Sequence, residues 1–349
     1  MLKKTFYFII TLLALGIIVH YLPSLPVKQP ALPAINEIEN FIYESEKQFD
    51  DVIDGAEKTI VWAGDKNRKT EFAVVYLHGY SATRQESAPL SDLLAQELNA
   101  NAYHIRLTGH GRGNKNMVHN NLRAWKQDAL EAYQIAKTIG DKIIIVSVST
   151  GATLSTWLAA REDTDAIVAQ LMISPNFDVP NKSAYMIDLP LGIGVKLAEW
   201  SAGKNHTWTP KNELQEKYWS TNHPLKSVRP MVQLLKEIKK IDKSSLTVPT
   251  LMVYSEKDTV ISIPAIKENF TSLGSIKKKL VAYNDSEDTH VLASEIVSPN
   301  DVKPVLKILL DFLYDNKIAP QSLNALQSKD TEIQPDNDVV VDGHNKPGN

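Results

Sequence analysis

The feature that most constrains the fold is an alternation between short runs rich in Val and Ile and longer amphipathic segments. "KTIVWAG" reads as a first strand, "FAVVYLHG" (from Phe72) as a second, "AYHIRL" (Ala102 to Leu107) as a third and "KIIIVSVS" as a fourth. "AIVAQLMIS", "TVPTLMVYSEKD" and "KKLVAYND" complete the set. Helical patterns lie between and after them: "APLSDLLAQELN", "LRAWKQDALEAYQIAKTIG" with a glycine at its close, "ATLSTWLAAR", and the last, "DVKPVLKILLDFLYDN". A strand that is apolar on both sides needs a covering layer on both sides. This rhythm therefore describes an α/β protein with a mostly parallel sheet and helices on both faces.

The rhythm breaks after "SPNF". Residues 178 to about 247 offer no convincing strand but hold Trp200, Trp208 and Trp219, three of the six tryptophans. They read as a helical cap inserted into one domain spanning 35–318, a size that 349 residues allow. Ahead of the domain, Ile38, Phe41, Ile42, Phe49, Val52 and Ile53 fall roughly on one helical face. The stretch from Ala319 is polar and reads as a disordered tail.

The N-terminus bears on compartment. After "MLKK" the eighteen residues from Thr5 to Leu22 carry no charge unless His20 is protonated, and Pro23 follows. As a helix they reach about 27 Å, close to the hydrocarbon thickness of a bilayer. No small-residue cleavage site follows closely, so residues 1–22 are expected to be an uncleaved signal anchor, a transmembrane helix. Residues 23–34, with their prolines, form a stiff linker. Lys3 and Lys4 on the cytoplasmic side would place the rest of the chain outside the cytoplasm.

Other chemistries are excluded by what is missing. A net charge of −3 gives no pull towards nucleic acid, and the absence of cysteine removes thiolate zinc sites, disulfides and a cysteine nucleophile. "LTGHGRGN" fails the dinucleotide pattern because Asn114 replaces the last glycine, and neither a Walker loop nor H-E-x-x-H occurs. No cofactor or metal is expected.

What remains is hydroxyl chemistry. "VSVSTGA" places Ser149 between the end of an apolar strand and the start of a helix, with Gly151 and Ala152 as small neighbours. A tight strand-to-helix turn lifts a hydroxyl above the sheet beside helix N-terminal amides, which a nucleophilic serine requires. Ser147 stands where the pattern has its first glycine. Alone, the stretch leaves two readings open, a nucleophile or a serine that caps the helix. "YLHGYS", upstream, ends a strand in a glycine turn, where the amide of Tyr80 would point at an oxyanion together with that of Thr150. Downstream, Asp258 in "YSEKDTV" and His290 in "DTHVL" follow strands and supply an acid and a base. Asp285 and Asp288, in the histidine's own loop, are rivals to Asp258, which ranks first because a strand end holds a carboxylate more rigidly.

From "KTIV" to "FLYDN", these motifs together with "RLTGHGR" resemble the α/β-hydrolase fold. Within it, the chain is similar to bacterial serine hydrolases related to monoglyceride lipases, esterases and serine aminopeptidases. The resemblance implies a Ser149–Asp258–His290 triad, an oxyanion hole from Tyr80 and Thr150, an acyl-enzyme intermediate and His110 as a loop residue. Carboxylic esters of hydrophobic acyl groups are the expected substrates, with amide or thioester cleavage, or a catalytically silent binding protein, as alternatives. Trp200, Trp208, Tyr218 and Trp219 are expected to line an acyl pocket or to form the cap's own core.

Overall fold

A computed structural model describes residues 26–87 and 89–320, together with Tyr7, Ile10, Thr11, 13–16 and Ile18. Most of the expected membrane anchor and nearly all of the polar tail lie outside the described residues. Among the described residues no helix is long and apolar enough to cross a membrane.

Helix α1 (Ile38–Lys47) precedes β1 (Thr59–Val61) and β2 (Thr70–Leu77). Then come α2 (Leu90–Glu97), β3 (Asn101–His104), α3 (Leu122–Ile139), β4 (Gly140–Val148), α4 (Thr150–Ala159) and β5 (Ile167–Ile173). The seven-stranded sheet has the order β1-β3-β2-β4-β5-β8-β9, where β8 is Thr250–Tyr254 and β9 is Lys278–Ala282. Within this sheet, among the described residues, only the pairing of β1 with β3 is antiparallel.

The central strands show why their sequences are continuously apolar. Successive side chains on a strand point to opposite faces. Ile143 and Ile145 of β4 join one buried cluster with residues of α3 and α4, while Ile144, Val146 and Val148 join another with residues of α2 and α9 (Val302–Asp315). Phe72, Val74 and Tyr76 of β2 alternate with Ala73, Val75 and Leu77 in the same way. Each fully buried aliphatic side chain contributes about 1.5–3 kcal/mol, so a one-residue slip of register would be heavily penalised on both faces.

Gly140 closes the helix as expected, its amide donating to Ala136 O, and it also opens β4 with extended φ, opposite Thr70. A Cβ there would come within 2.6 Å of the Ala73 nitrogen, so its second role is close strand approach. Several expectations are corrected. The third strand ends at His104, because beyond it Arg106 turns to a bidentate ion pair with Glu46 of α1 and the Leu107 amide donates to His78. The α1 pattern stops at Lys47, short of Phe49, Val52 and Ile53. Between β8 and β9 lies α8 (Ile263–Ser272), a helix the strand-to-strand rhythm requires but the sequence reading does not name.

The inserted segment holds α5 (Ile193–Ala202), β6 (Asn205–Thr207), α6 (Glu213–Tyr218), β7 (Asn222–Pro224) and α7 (Arg229–Ile238). The absence of strands expected there is wrong: β6 and β7 pair antiparallel. Three-residue polar strands carry no alternation to read. Leu234, Leu235 and Ile238 of α7 pack in the same buried cluster as α3 and α4, so this helix serves the main body. Trp200 is 87% exposed and so is not part of a cap core, whereas Trp219 is buried.

Candidate active site

In open α/β sheets, ligands meet the carboxyl ends of the strands. Ser149 follows the last residue of β4, the Gly79–Tyr80 turn follows β2, and the loops carrying Asp258 and His290 follow β8 and β9. All reach the same sheet edge.

The backbone of Ser149 is strained. Its φ of 51° and ψ of −115° lie where side chains other than glycine rarely sit. Neighbouring hydrogen bonds hold it there: the Ser149 amide donates to Ile173 O at 3.0 Å, and its carbonyl accepts from Ala152 and Asn176 at 3.0 and 3.1 Å. Its side chain makes no cap bond to α4, which removes the capping reading. Gly151 explains the small residue after the turn: a Cβ would collide with the Leu77 carbonyl and come within 2.8 Å of the His78 oxygen. Ser147 is fully buried, paired in register with Leu77 and Met172, and its hydroxyl has no partner among the described residues.

The hydroxyl that the turn presents meets a relay. Ser149 Oγ lies 3.1 Å from His290 Nε2, and His290 Nδ1 lies 2.7 Å from Asp258 Oδ2. Asp258 is itself held, because its other oxygen accepts from the amides of Val260 and Ile261. Burial works against protonating His290. The Asp258 hydrogen bond and the charges of Asp258, Glu86 and Asp288 outweigh it, leaving the imidazole above its ordinary value. The arrangement can therefore serve as a general base for the Ser149 hydroxyl, with the imidazolium it forms stabilised by neighbouring negative charge.

The rival acids are placed elsewhere. Asp285 is exposed, and Asp288 accepts the backbone amides of His290 and Val291 at 2.8 Å while pairing with Lys211 of the inserted segment. Burial alone would raise the Asp288 carboxyl, but Lys211 and the two amides bring it below its usual range.

Among the described residues neither the Tyr80 nor the Thr150 amide has a hydrogen-bond acceptor. The Tyr80 turn is carried by histidines. His78 Nε2 accepts the Leu107 amide, and burial lowers this imidazole to about 4, so it is neutral and its Nδ1–H donates to Gly79 O at 2.9 Å. His110 Nε2 accepts the Ser81 amide at 3.1 Å, a support role for the loop residue. The inserted segment closes on the same turn: Ser220 N–H donates to Ser81 O, and Tyr80 Oη lies 2.8 Å from Ser227 Oγ.

Two neighbours of the site escaped sequence reading. Glu86 in "RQES" looks like an ordinary solvated turn residue yet is 2% exposed, and Lys211 sits in a polar stretch 77 positions before Asp288. Neither carries a local signal, since both matter only through distant partners.

The family described as serine aminopeptidase, S33, matches residues 68–295, which takes in all the residues above. The chain belongs to this family. The α/β-hydrolase fold and a hydrolase identity come with it. Solved structures with the same fold include one from work on LipS and LipT, two metagenome-derived lipolytic enzymes, at 17% identity and a TM-score of 0.61, covering 76% of this chain and 99% of that one. The monoacylglycerol lipase of Paleococcus ferrophilus aligns at 15% identity and 0.53, over 73% and 98%. A soluble variant of the Saccharomyces cerevisiae monoglyceride lipase aligns at 12% and 0.54, over 74% and 91%.

Proposed function

We propose that this hydrolase cleaves carboxylic esters of hydrophobic acyl groups through an acyl-enzyme on Ser149. The observation that carries the reading is the continuous relay from Asp258 through His290 to Ser149, at 2.7 and 3.1 Å. His290 takes the Ser149 proton as Oγ attacks the ester carbonyl, Asp258 stabilises the imidazolium, and the Tyr80 and Thr150 amides bind the oxyanion. His290 then protonates the leaving alcohol. Water, deprotonated by the same imidazole, releases the acid and restores Ser149.

The family's description makes amide cleavage at a free amino terminus the second reading. Binding a substrate ammonium calls for a spare carboxylate. Asp258, Asp288 and Glu86, the three that act on His290, are each committed to protein donors, which favours an uncharged acyl substrate. The lipolytic neighbours point the same way. Turnover of p-nitrophenyl esters of graded chain length, set against aminoacyl-p-nitroanilides and labelling by a fluorophosphonate, tests the reading. Failure on every ester together with no labelling would overturn it.

We also propose that residues 1–22 hold the enzyme at a membrane with the catalytic domain outside the cytoplasm. The support is the uncharged run from Thr5 to Leu22 behind two lysines. Protease added to spheroplasts should digest the domain; a protected domain would reverse the orientation.

A further inference from the structure

The turn that presents the Tyr80 amide is short, and something must hold it against the sheet. Beneath it lies Glu86, at the end of a single helical turn (Arg84–Glu86), with its side chain folded inward. One carboxylate oxygen accepts two donors, the Gly79 amide at 2.6 Å and the Tyr76 hydroxyl at 3.0 Å. Gly79 and Glu86 fit each other closely: a Cβ on Gly79 would lie 2.6 Å from the other carboxylate oxygen. Among the described residues Glu86 forms no salt bridge.

Burying a carboxylate without a cation is costly, so the two donors and nearby positive charge must offset it. We propose that Glu86 is a positioning residue: its carboxylate pins the Gly79 peptide so that the following amide, that of Tyr80, stays aimed at the oxyanion, and its charge supports the imidazolium of His290. The inference rests on the esterase reading of the same site.

The charged surroundings are few. His290 faces Asp258 from the loop after β8, Asp288 from its own loop, and Glu86 from the turn after β2, with Lys211 of the inserted segment neutralising Asp288. Glu86 contacts the Tyr76 hydroxyl and the Gly79 amide and feels the charge of His290, and the ring of Tyr76 packs near His104, which is bound to Asp92. Burial pushes the Glu86 carboxyl up to about 7, against the pull of these partners. The charges of Glu86 and His290 act on each other, so the protonation of one shifts that of the other.

The test uses the full-length protein with a p-nitrophenyl ester. Glu86→Gln keeps an oxygen for both donors and removes the charge. We expect kcat to fall about tenfold, KM to stay within about twofold, and the acid limb of kcat/KM to move to lower pH, because the imidazolium loses a stabilising anion. Glu86→Ala, which also frees the turn, should cost about 10²-fold or more in kcat. Wild-type kcat and an unmoved limb in Glu86→Gln would overturn the proposal. Should that variant not fold, Tyr76→Phe removes one donor outside the turn and should lower kcat by about two- to fivefold with the basic form of Glu86 weakened; no change there would overturn it equally. Ser149→Ala in the same assay separates the two claims. If it retains turnover, the esterase reading falls; if it is dead while Glu86→Gln behaves as wild type, only the role of Glu86 falls.

Discussion

Asp288 stands two positions before His290, yet its carboxylate binds that residue's backbone amide at 2.8 Å and leaves the imidazole to Asp258, 32 positions upstream. Two carboxylates thus divide one task, one shaping the loop and the other facing the ring. The division makes a pair of variants informative. Asp258→Asn should lower kcat about 10⁴-fold, by misorienting the imidazole and withdrawing its counter-charge. Asp288→Asn only loosens the loop and should cost about 10²-fold at most. Steady-state kinetics of both decide it, and the reverse ranking would move the acid to Asp288.

The acid limb follows from the sign of the His290 shift. The base works only when neutral, and its partners hold the imidazole above its ordinary value. Activity should therefore rise with pH through an apparent pKa higher than the roughly 6.5 of a free imidazole. A pH profile of kcat/KM whose limb lies below that value would contradict the charge arrangement.

Strain at Ser149 has a thermodynamic signature. Glycine accepts a φ of 51° without penalty, whereas alanine does not. Ser149→Gly and Ser149→Ala should both lose esterase activity, but the glycine variant should be more stable by about 1 kcal/mol. Chemical denaturation compares them, and equal midpoints would remove the strain.

Ser147 predicts the opposite of its appearance in the motif. Its buried hydroxyl has no partner among the described residues, so Ser147→Ala removes an unsatisfied group without adding volume. Stability should be unchanged or raised by up to about 1 kcal/mol, with kcat retained. A marked loss of stability would mean that the hydroxyl is bonded after all.

Gly151 has no such latitude. A Cβ would enter the Leu77 carbonyl, so Gly151→Ala should cost about 2–3 kcal/mol and distort the turn that carries Ser149. Thermal melting and residual turnover would both report it; a fully active, stable variant would show that strand and helix can part.

The sheet, its two covering layers and the positions of Ser149, Asp258 and His290 at strand ends were legible because alternation and strand-to-helix turns are local patterns. A run such as "KIIIV" states its burial in five residues. The same locality hid the β6–β7 pair, whose polar three-residue strands have no period, and the second constraint on Gly140, which comes from a neighbour 67 positions upstream.

By itself, then, the sequence determined an α/β domain with a hydroxyl, an imidazole and a carboxylate in the right chain order. Only the tertiary structure decided which carboxylate faces the imidazole, that Ser149 is strained and does not cap its helix, and that Glu86 lies buried against the Gly79–Tyr80 turn. The physical reason is distance along the chain. Periodicity and turn chemistry act over a few residues, whereas the bond from His290 to Ser149 spans 141 positions and exists only once the sheet has brought both strand ends to one edge.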